Sequence, residues 1–210
     1  MGSEAFIFMT RKNFFSYYNE NKYRLLFRWI DIEKVKFIKN LVKNSNRLKI
    51  LDLGTGDSSI LNTIRQHKFF AGDINFSLLK LCKSKNPFVY CCQFDGDYSL
   101  PFKDKTFDII LSVDSIEHIK FPHNLVSESK RLLKPNGSFI VFTPPYDSVQ
   151  WVIAEKFHNL ITQSNSDHIT PFTRESLQFL LQTYFSNVTI KKMNCGLTLC
   201  GVAREISRKD

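Results

Sequence analysis

From residue 47 onward, short apolar runs alternate with amphipathic stretches, a rhythm that few folds accommodate. "RLKILDL" (47–53), "KFFAGD" (68–73), "PFVYCCQF" (87–94), "FDIILSV" (107–113) and "SFIVFTP" (138–144) read as strands. Their apolar letters are nearly continuous, as in strands buried on both faces. Between them, "SSILNTIRQH", "FSLLKLCKSK" and "HNLVSESKRLL" (123–133) read as helices. The last places Leu125, Ser129, Leu132 and Leu133 on one face, and Lys134-Pro135-Asn136-Gly137 stops it. Strands that alternate with helices predict a parallel sheet covered on both sides.

The rhythm then changes. In "FTRESLQFLLQTYF", Thr173 is placed as a helix N-cap, with Leu177, Leu180, Leu181 and Tyr184 as the apolar stripe. Two further strands follow, "NVTIKKM" (187–193) and "LTLCGVARE" (197–205), with only Asn194, Cys195 and Gly196 between them. Three residues are too few for a parallel crossover, so these strands must form a hairpin. The fold expected is α/β: a Rossmann-like, doubly wound sheet of seven strands, mostly parallel, with a C-terminal antiparallel hairpin.

At 210 residues, with 43% hydrophobic and 23% charged side chains and neither repeat nor linker, the chain suits a single domain. Residues 1–45 are expected to form an N-terminal helical cap and 46–206 a cofactor-binding core. The N-terminal part is aromatic and basic, with Trp29, Ile30, Val35, Ile38, Leu41 and Val42 partly at helical spacing. It either covers the sheet or acts as a lid that brings Tyr17, Tyr18, Tyr23 or Trp29 to a substrate. "SVQWVIAEKFHNLI" (148–161) is a second cap candidate.

The turn after the first strand carries the chemistry. In "ILDLGTGDSS" the strand ends at Leu53, and Gly54-Thr55-Gly56 make the bend before a helix beginning near Asp57. Two glycines permit positive φ and a close ligand approach. The helix N-terminus offers N–H groups to an anion. Asp73 ends the second strand, 19 residues after Gly54, where a carboxylate can accept hydrogen bonds from both hydroxyls of a ribose. The pair points to an adenosine cofactor. A dinucleotide turn needs a third glycine under its pyrophosphate, and Ser59 stands there. S-adenosylmethionine has no pyrophosphate, and a two-glycine turn suffices for it.

These motifs resemble the class I S-adenosylmethionine-dependent methyltransferases, in particular the ubiquinone/menaquinone-type group. "ILDLGTGDSS" resembles the family's first motif, with Ser58 in place of a glycine, and "AGDINFSLLKLCKSK" its second. "DGDYSLPFKDKTFDIILSVDSIEHI" is similar to the adenine loop and fourth strand. "ESKRLLKPNGSFIVFTPP" and "DHITPFTRESLQFLLQTYFSNVTI" resemble the elements that follow, over roughly residues 47 to 206. The resemblance implies cofactor contacts from Asp52, Gly54, Thr55, Gly56, Asp73, Ile74, Asp95, Gly96, Ser112 and Val113. Asp97 competes with Asp95 for the adenine. Asn136 replaces a glycine of the usual pair and tolerates the left-handed conformation.

Methyl transfer needs positioning, and a hydroxyl acceptor also needs a general base. His118 is the candidate base, against a bracing role for Glu117 and His118. Tyr146 and His168 are candidates for substrate contact. "TPPY" (143–146) has the look of a base-gripping motif but follows the fifth strand and lacks its Asn, so it reads as a turn. Asp114, Glu117, His118 and His123 match no ligand spacing, and no metal is expected.

The net charge of +9 fits either a nucleic-acid partner or merely basic solvated faces. A small-molecule methyl acceptor is the leading expectation. An RNA methyltransferase and a non-catalytic cofactor-binding subunit are the alternatives. Five cysteines without a C-x-x-C pair, no apolar run near the roughly 18 residues that span a bilayer, and no secretory signal suggest a cytoplasmic protein.

Overall fold

The computed structural model describes residues 24–56, 66–162 and 168–205. Tyr17, Tyr18, Tyr23, Asp57, Ser58, Ser59 and most of the helix expected over "SSILNTIRQH" lie outside them.

Seven strands form one sheet: β1 (Lys49–Leu53), β2 (Lys68–Asp73), β3 (Tyr90–Gln93), β4 (Phe107–Val113), β5 (Leu133–Thr143), β6 (Asn187–Met193) and β7 (Thr198–Arg204). Their order is β3-β2-β1-β4-β5-β7-β6. Strands β1 to β5 pair in parallel, whereas β7 runs antiparallel to both β5 and β6. The parallel sheet finished by a hairpin is the fold read from the sequence. Chain order reverses between β1 and β4, the switch point outside which doubly wound sheets bind ligands.

Helix α1 (Arg24–Val42) lies on one face of the sheet. Its buried positions Ile30, Lys34, Ile38 and Val42 recur every four residues, and Phe37 packs edge-on against Phe142 at 5.8 Å. Trp29, by contrast, is exposed. Helix α2 (Phe76–Lys85) covers the same face, buried through Leu79 and Cys82. Asn75 caps it, its side chain accepting from the N–H groups of Ser77 and Leu78. On the other face, α3 (Pro122–Leu132) and α5 (Arg174–Gln182) bury Leu125, Val126, Leu132, Leu177, Leu180 and Leu181. Thr173 is the N-cap of α5 and forms a capping box with Ser176. Helix α4 (Val149–Thr162) follows β5.

Two strand starts differ from the sequence reading by more than two residues. Strand β3 begins at Tyr90 rather than residue 87, because Asn86 caps α2 and its carbonyl accepts the Val89 N–H, turning Pro87 and Phe88 outward. Strand β5 begins at Leu133, directly after α3. Leu133 pairs with Phe107, and Ser138 pairs next with Ile109, so Lys134–Gly137 bulge from the strand instead of preceding it. Asn136 takes φ 64° in this bulge, the left-handed value expected of it. The Lys134 ammonium donates to both Asp108 oxygens, at 2.8 and 2.9 Å.

Among the described residues, no helix is long and apolar enough to cross a membrane.

Candidate active site

The ends of β1, β2 and β4 build the site. Gly54 and Gly56 leave β1 at φ 68° and 53°, in the left-handed region. A Cβ on Gly54 would lie 2.5 Å from the Cβ of Ser115, so both angle and space require glycine there. The N–H groups of Gly54 and Thr55 donate to the Gly72 carbonyl at 2.8 and 3.0 Å, fixing the turn against β2. Asp73, at the end of β2, accepts the Asn75 N–H at 2.8 Å on one oxygen and the Gly56 N–H at 3.1 Å on the other. Each oxygen keeps a second lone pair with which to accept a ligand hydroxyl. Burial pushes the Asp73 carboxyl above its ordinary range, opposed by the N–H groups of Asn75, Gly56 and Ile74.

After β4 the chain turns sharply at Asp114, a non-glycine residue at φ 48°. Its N–H donates to the Phe142 carbonyl at 2.9 Å, and its carboxylate pairs with the ammonium of Lys34, which reaches in from α1. Ser115 staples β4 to β1: its hydroxyl donates to the Leu53 carbonyl at 2.8 Å and lies 2.7 Å from that of Ser112.

Between these strand ends lies a cavity of about 330 Å³. Of the residues the sequence assigned to the cofactor, Gly54, Gly56, Asp73, Ile74, Asp95 and Gly96 line it, and so does His118. Leu78, Phe94, Ile119 and Leu125 give apolar wall. Asp95 and Asp97 both reach it; Asp95 accepts the Asp97 N–H at 2.9 Å, while Asp97 accepts the Phe121 N–H at 2.7 Å and so anchors the loop to the start of α3.

Asp52, Thr55, Ser112 and Val113 do not line this cavity. Asp52 points into the core, where it accepts the Thr55 hydroxyl at 2.8 Å, and its carboxyl is pushed up to about 7 by burial, with the Asp73 carboxylate adding to the rise. Asp52 and Thr55 thus brace the turn from behind. Ser112 is fully buried, and Val113 packs against the cluster under α1 and α2. An inward and an outward strand position read alike in an all-apolar run, which is why the sequence did not separate them.

Of the candidates for the acceptor side, His118 lines the cavity, whereas Tyr146 and His168 lie beside it. The Tyr146 hydroxyl bonds to Nδ1 of His168 and donates to Glu155 at 2.9 Å. The His168 ring centroid lies 4.9 Å from that of His118, and Trp151 lies 6.3 Å from both Tyr146 and His168. Glu117 is 1% exposed and accepts the Thr143 hydroxyl at 2.9 Å. Burial pushes its carboxyl up to about 8, and the Asp114 carboxylate adds to the rise. Lys34, Glu155 and Trp151 carried no signal in the sequence: Lys34 occupies an ordinary stripe position of α1, and Glu155 and Trp151 lie on a helix read only as a cap.

Four carboxylates, those of Asp73, Asp95, Asp97 and Asp114, line a cavity in a chain whose net charge is +9. A dinucleotide pyrophosphate would meet repulsion here. S-adenosylmethionine carries a sulfonium and an ammonium against one carboxylate, and its net positive charge is the complement of this lining. The glycine turn leaves it room, and Asp73 supplies ribose acceptors, so the residues present fit the group.

A switch-point cavity of this kind, in a sheet closed by a C-terminal hairpin, is that of a nucleoside-cofactor domain, and its lining fits S-adenosylmethionine. Residues 51–141 match the family described as a methyltransferase domain. A protein of Methanocaldococcus jannaschii is 30% identical over 61% of this chain and 56% of its own length. The sarcosine/dimethylglycine N-methyltransferase of Aphanothece halophytica is 35% identical over 46% of this chain and 38% of its own. The chain therefore spans about half or less of these relatives. Among solved structures, one from Thermotoga maritima, described as a possible histamine N-methyltransferase, superposes with a TM-score of 0.70. It covers 90% of this chain and 95% of that one at 16% identity, a likeness of fold alone.

Proposed function

We propose that this protein transfers the methyl group of S-adenosylmethionine to a small-molecule acceptor. The observation that carries the reading is the carboxylate-lined cavity at the β1/β4 switch point, with Asp73 at the end of β2. The bound cofactor supplies an electrophilic methyl on a sulfonium. Asp73 holds the ribose hydroxyls, and Gly54 and Gly56 let the backbone approach the amino-acid end. Asp95 would accept from the adenine amino group, and Leu78, Phe94 and Ile119 would supply apolar wall for the base. His118, on the same cavity wall, takes the proton from an acceptor hydroxyl. Tyr146 and His168 orient the acceptor from the adjoining cluster.

The acidic lining favours a small acceptor over RNA, since a polyanion docked at this opening faces Asp73, Asp95 and Asp97, with Asp114 already paired to Lys34. The names of two relatives point the same way: the Aphanothece N-methyltransferase and a fatty-acid O-methyltransferase of Mycolicibacterium smegmatis, 30% identical over 47% of this chain. The test is transfer of labelled methyl from S-adenosylmethionine to fractionated small-molecule extract and, separately, to purified RNA. Label in a small-molecule fraction, lost with Asp73→Asn, supports the reading. Label in RNA alone overturns the acceptor class, and none in either favours a non-catalytic subunit.

A further inference from the structure

We propose that Glu117, His118 and His168 form a binding site for one divalent transition-metal ion beside the cofactor cavity. The inference rests on the methyltransferase reading for its use and on local geometry for its existence. One ligand atom from each of the three residues lies within 4.8 Å of the others. Bonds of roughly 2.0–2.2 Å to a central ion set tetrahedral ligand atoms about 3.3–3.6 Å apart, so an ion would draw the three side chains inward from that limit. No spacing in the sequence pointed to this set, because His168 is 50 residues from His118.

The second observation is the Glu117 carboxyl. One oxygen accepts the Thr143 hydroxyl, whereas Oε1 is buried with no hydrogen-bond partner among the described residues. A buried carboxyl oxygen without a partner is costly, and a bound cation would supply one. His168 is already oriented as a ligating imidazole usually is: its Nδ1 is held by Tyr146, with a Glu155 oxygen at 3.5 Å, which directs coordination to Nε2. The frame is rigid. The N–H groups of Ile169 and Thr170 both donate to the Glu117 carbonyl at 2.9 Å, and the Thr170 hydroxyl donates to the Ile119 carbonyl at 2.8 Å. The segment bearing His168 is thereby stapled to the turn bearing Glu117 and His118.

Two imidazoles and one carboxylate suit Zn²⁺, Fe²⁺, Co²⁺ or Mn²⁺ rather than Ca²⁺. Three protein ligands leave positions open, and one of the three, His118, also lines the cofactor cavity. The ligand class for those positions is an acceptor hydroxyl. Coordinated there, the O–H bond gives its proton to solvent, the oxygen lone pair forms the new O–C bond, and the methyl–sulfur bond breaks with its electron pair kept by sulfur. The ion then replaces His118 as the activating group, since a nitrogen bound to a metal cannot take that proton.

The test titrates metal-free full-length protein with Co²⁺, followed by calorimetry and by visible absorption, alongside Glu117→Gln and His168→Asn. The expected result is one equivalent bound, weakened about 10- to 100-fold or more in each folded variant, with d–d bands that both variants lose. Absence of binding by the folded wild type overturns the proposal. So does undiminished binding in both variants, or a near-ultraviolet thiolate band placing the ion on cysteines. S-adenosylhomocysteine binding measured on the same samples separates the two readings: cofactor binding without Co²⁺ binding sinks only the metal site, and the reverse sinks only the methyltransferase.

Discussion

Replacing Asp52 with asparagine should stabilise the protein at alkaline pH and cost stability in acid. The Asp52 carboxyl is raised from 3.8 to about 7, first by burial and then by the Asp73 carboxylate, against the hydrogen bond from Thr55. In the unfolded chain it loses its proton near 3.8, whereas in the folded chain it keeps the proton to about pH 7. Between those values the folded state binds one more proton, so stability falls as pH rises, at about 1.4 kcal/mol per pH unit. The accumulated cost by neutral pH is on the order of 4 kcal/mol. The carboxamide of Asp52→Asn cannot ionise and can still accept the Thr55 hydroxyl. Its nitrogen would occupy the position of Oδ1, which has no partner among the described residues, at a cost of roughly 1–3 kcal/mol. The wild type has lost about 1.6 kcal/mol by pH 5 and about 4 kcal/mol by pH 8, so the variant is expected to gain on it as pH rises and to be the stronger protein at pH 8. Urea denaturation at fixed ionic strength should show the difference changing by about 3 kcal/mol between those pH values. A difference that stays constant across that range would refute the reasoning, because it would mean that Asp52 ionises alike in both states.

Three further substitutions probe the fold and the turn. Gly54→Ala puts a Cβ 2.5 Å from that of Ser115 at φ 68°, and should lose about 1–3 kcal/mol in thermal unfolding and most of the cofactor affinity in calorimetry. Gly72→Ala drives a Cβ to 2.0 Å from the Phe94 ring, and should lose about 1–3 kcal/mol that Phe94→Leu in the same chain largely restores. If the double variant is no better than the single, the ring is not the obstacle. Thr173→Ala removes the capping box of α5 and should cost about 1 kcal/mol in urea denaturation, with no change in cofactor affinity.

What the sequence carried was local, or set by chain length. The three-residue gap at Asn194–Gly196 forced the hairpin, Thr173 showed the start of α5, and Asn136 was free to take the left-handed bulge. The glycine turn and Asp73 marked the cavity because their spacing follows from one strand-helix-strand unit. Direction within a strand was not legible. Asp52 and Ser112 sit in runs apolar on both sides, and only packing shows that they turn away from the cavity. Long-range pairs were hidden as well: Lys34 reaches Asp114 across 80 residues, and His168 meets His118 only because Ile169 and Thr170 are bonded to the Glu117 carbonyl. No periodicity encodes such contacts.

The central claim is that the switch-point cavity holds S-adenosylmethionine through Asp73. Calorimetric titration of the full chain with S-adenosylmethionine and S-adenosylhomocysteine, beside Asp73→Asn, tests it most directly. The account predicts one site of micromolar affinity in the wild type, weakened at least about tenfold in the variant, since one charge-assisted ribose contact is worth roughly 1.5–3 kcal/mol. A folded wild type that binds neither compound, or a variant that binds as tightly, would contradict it.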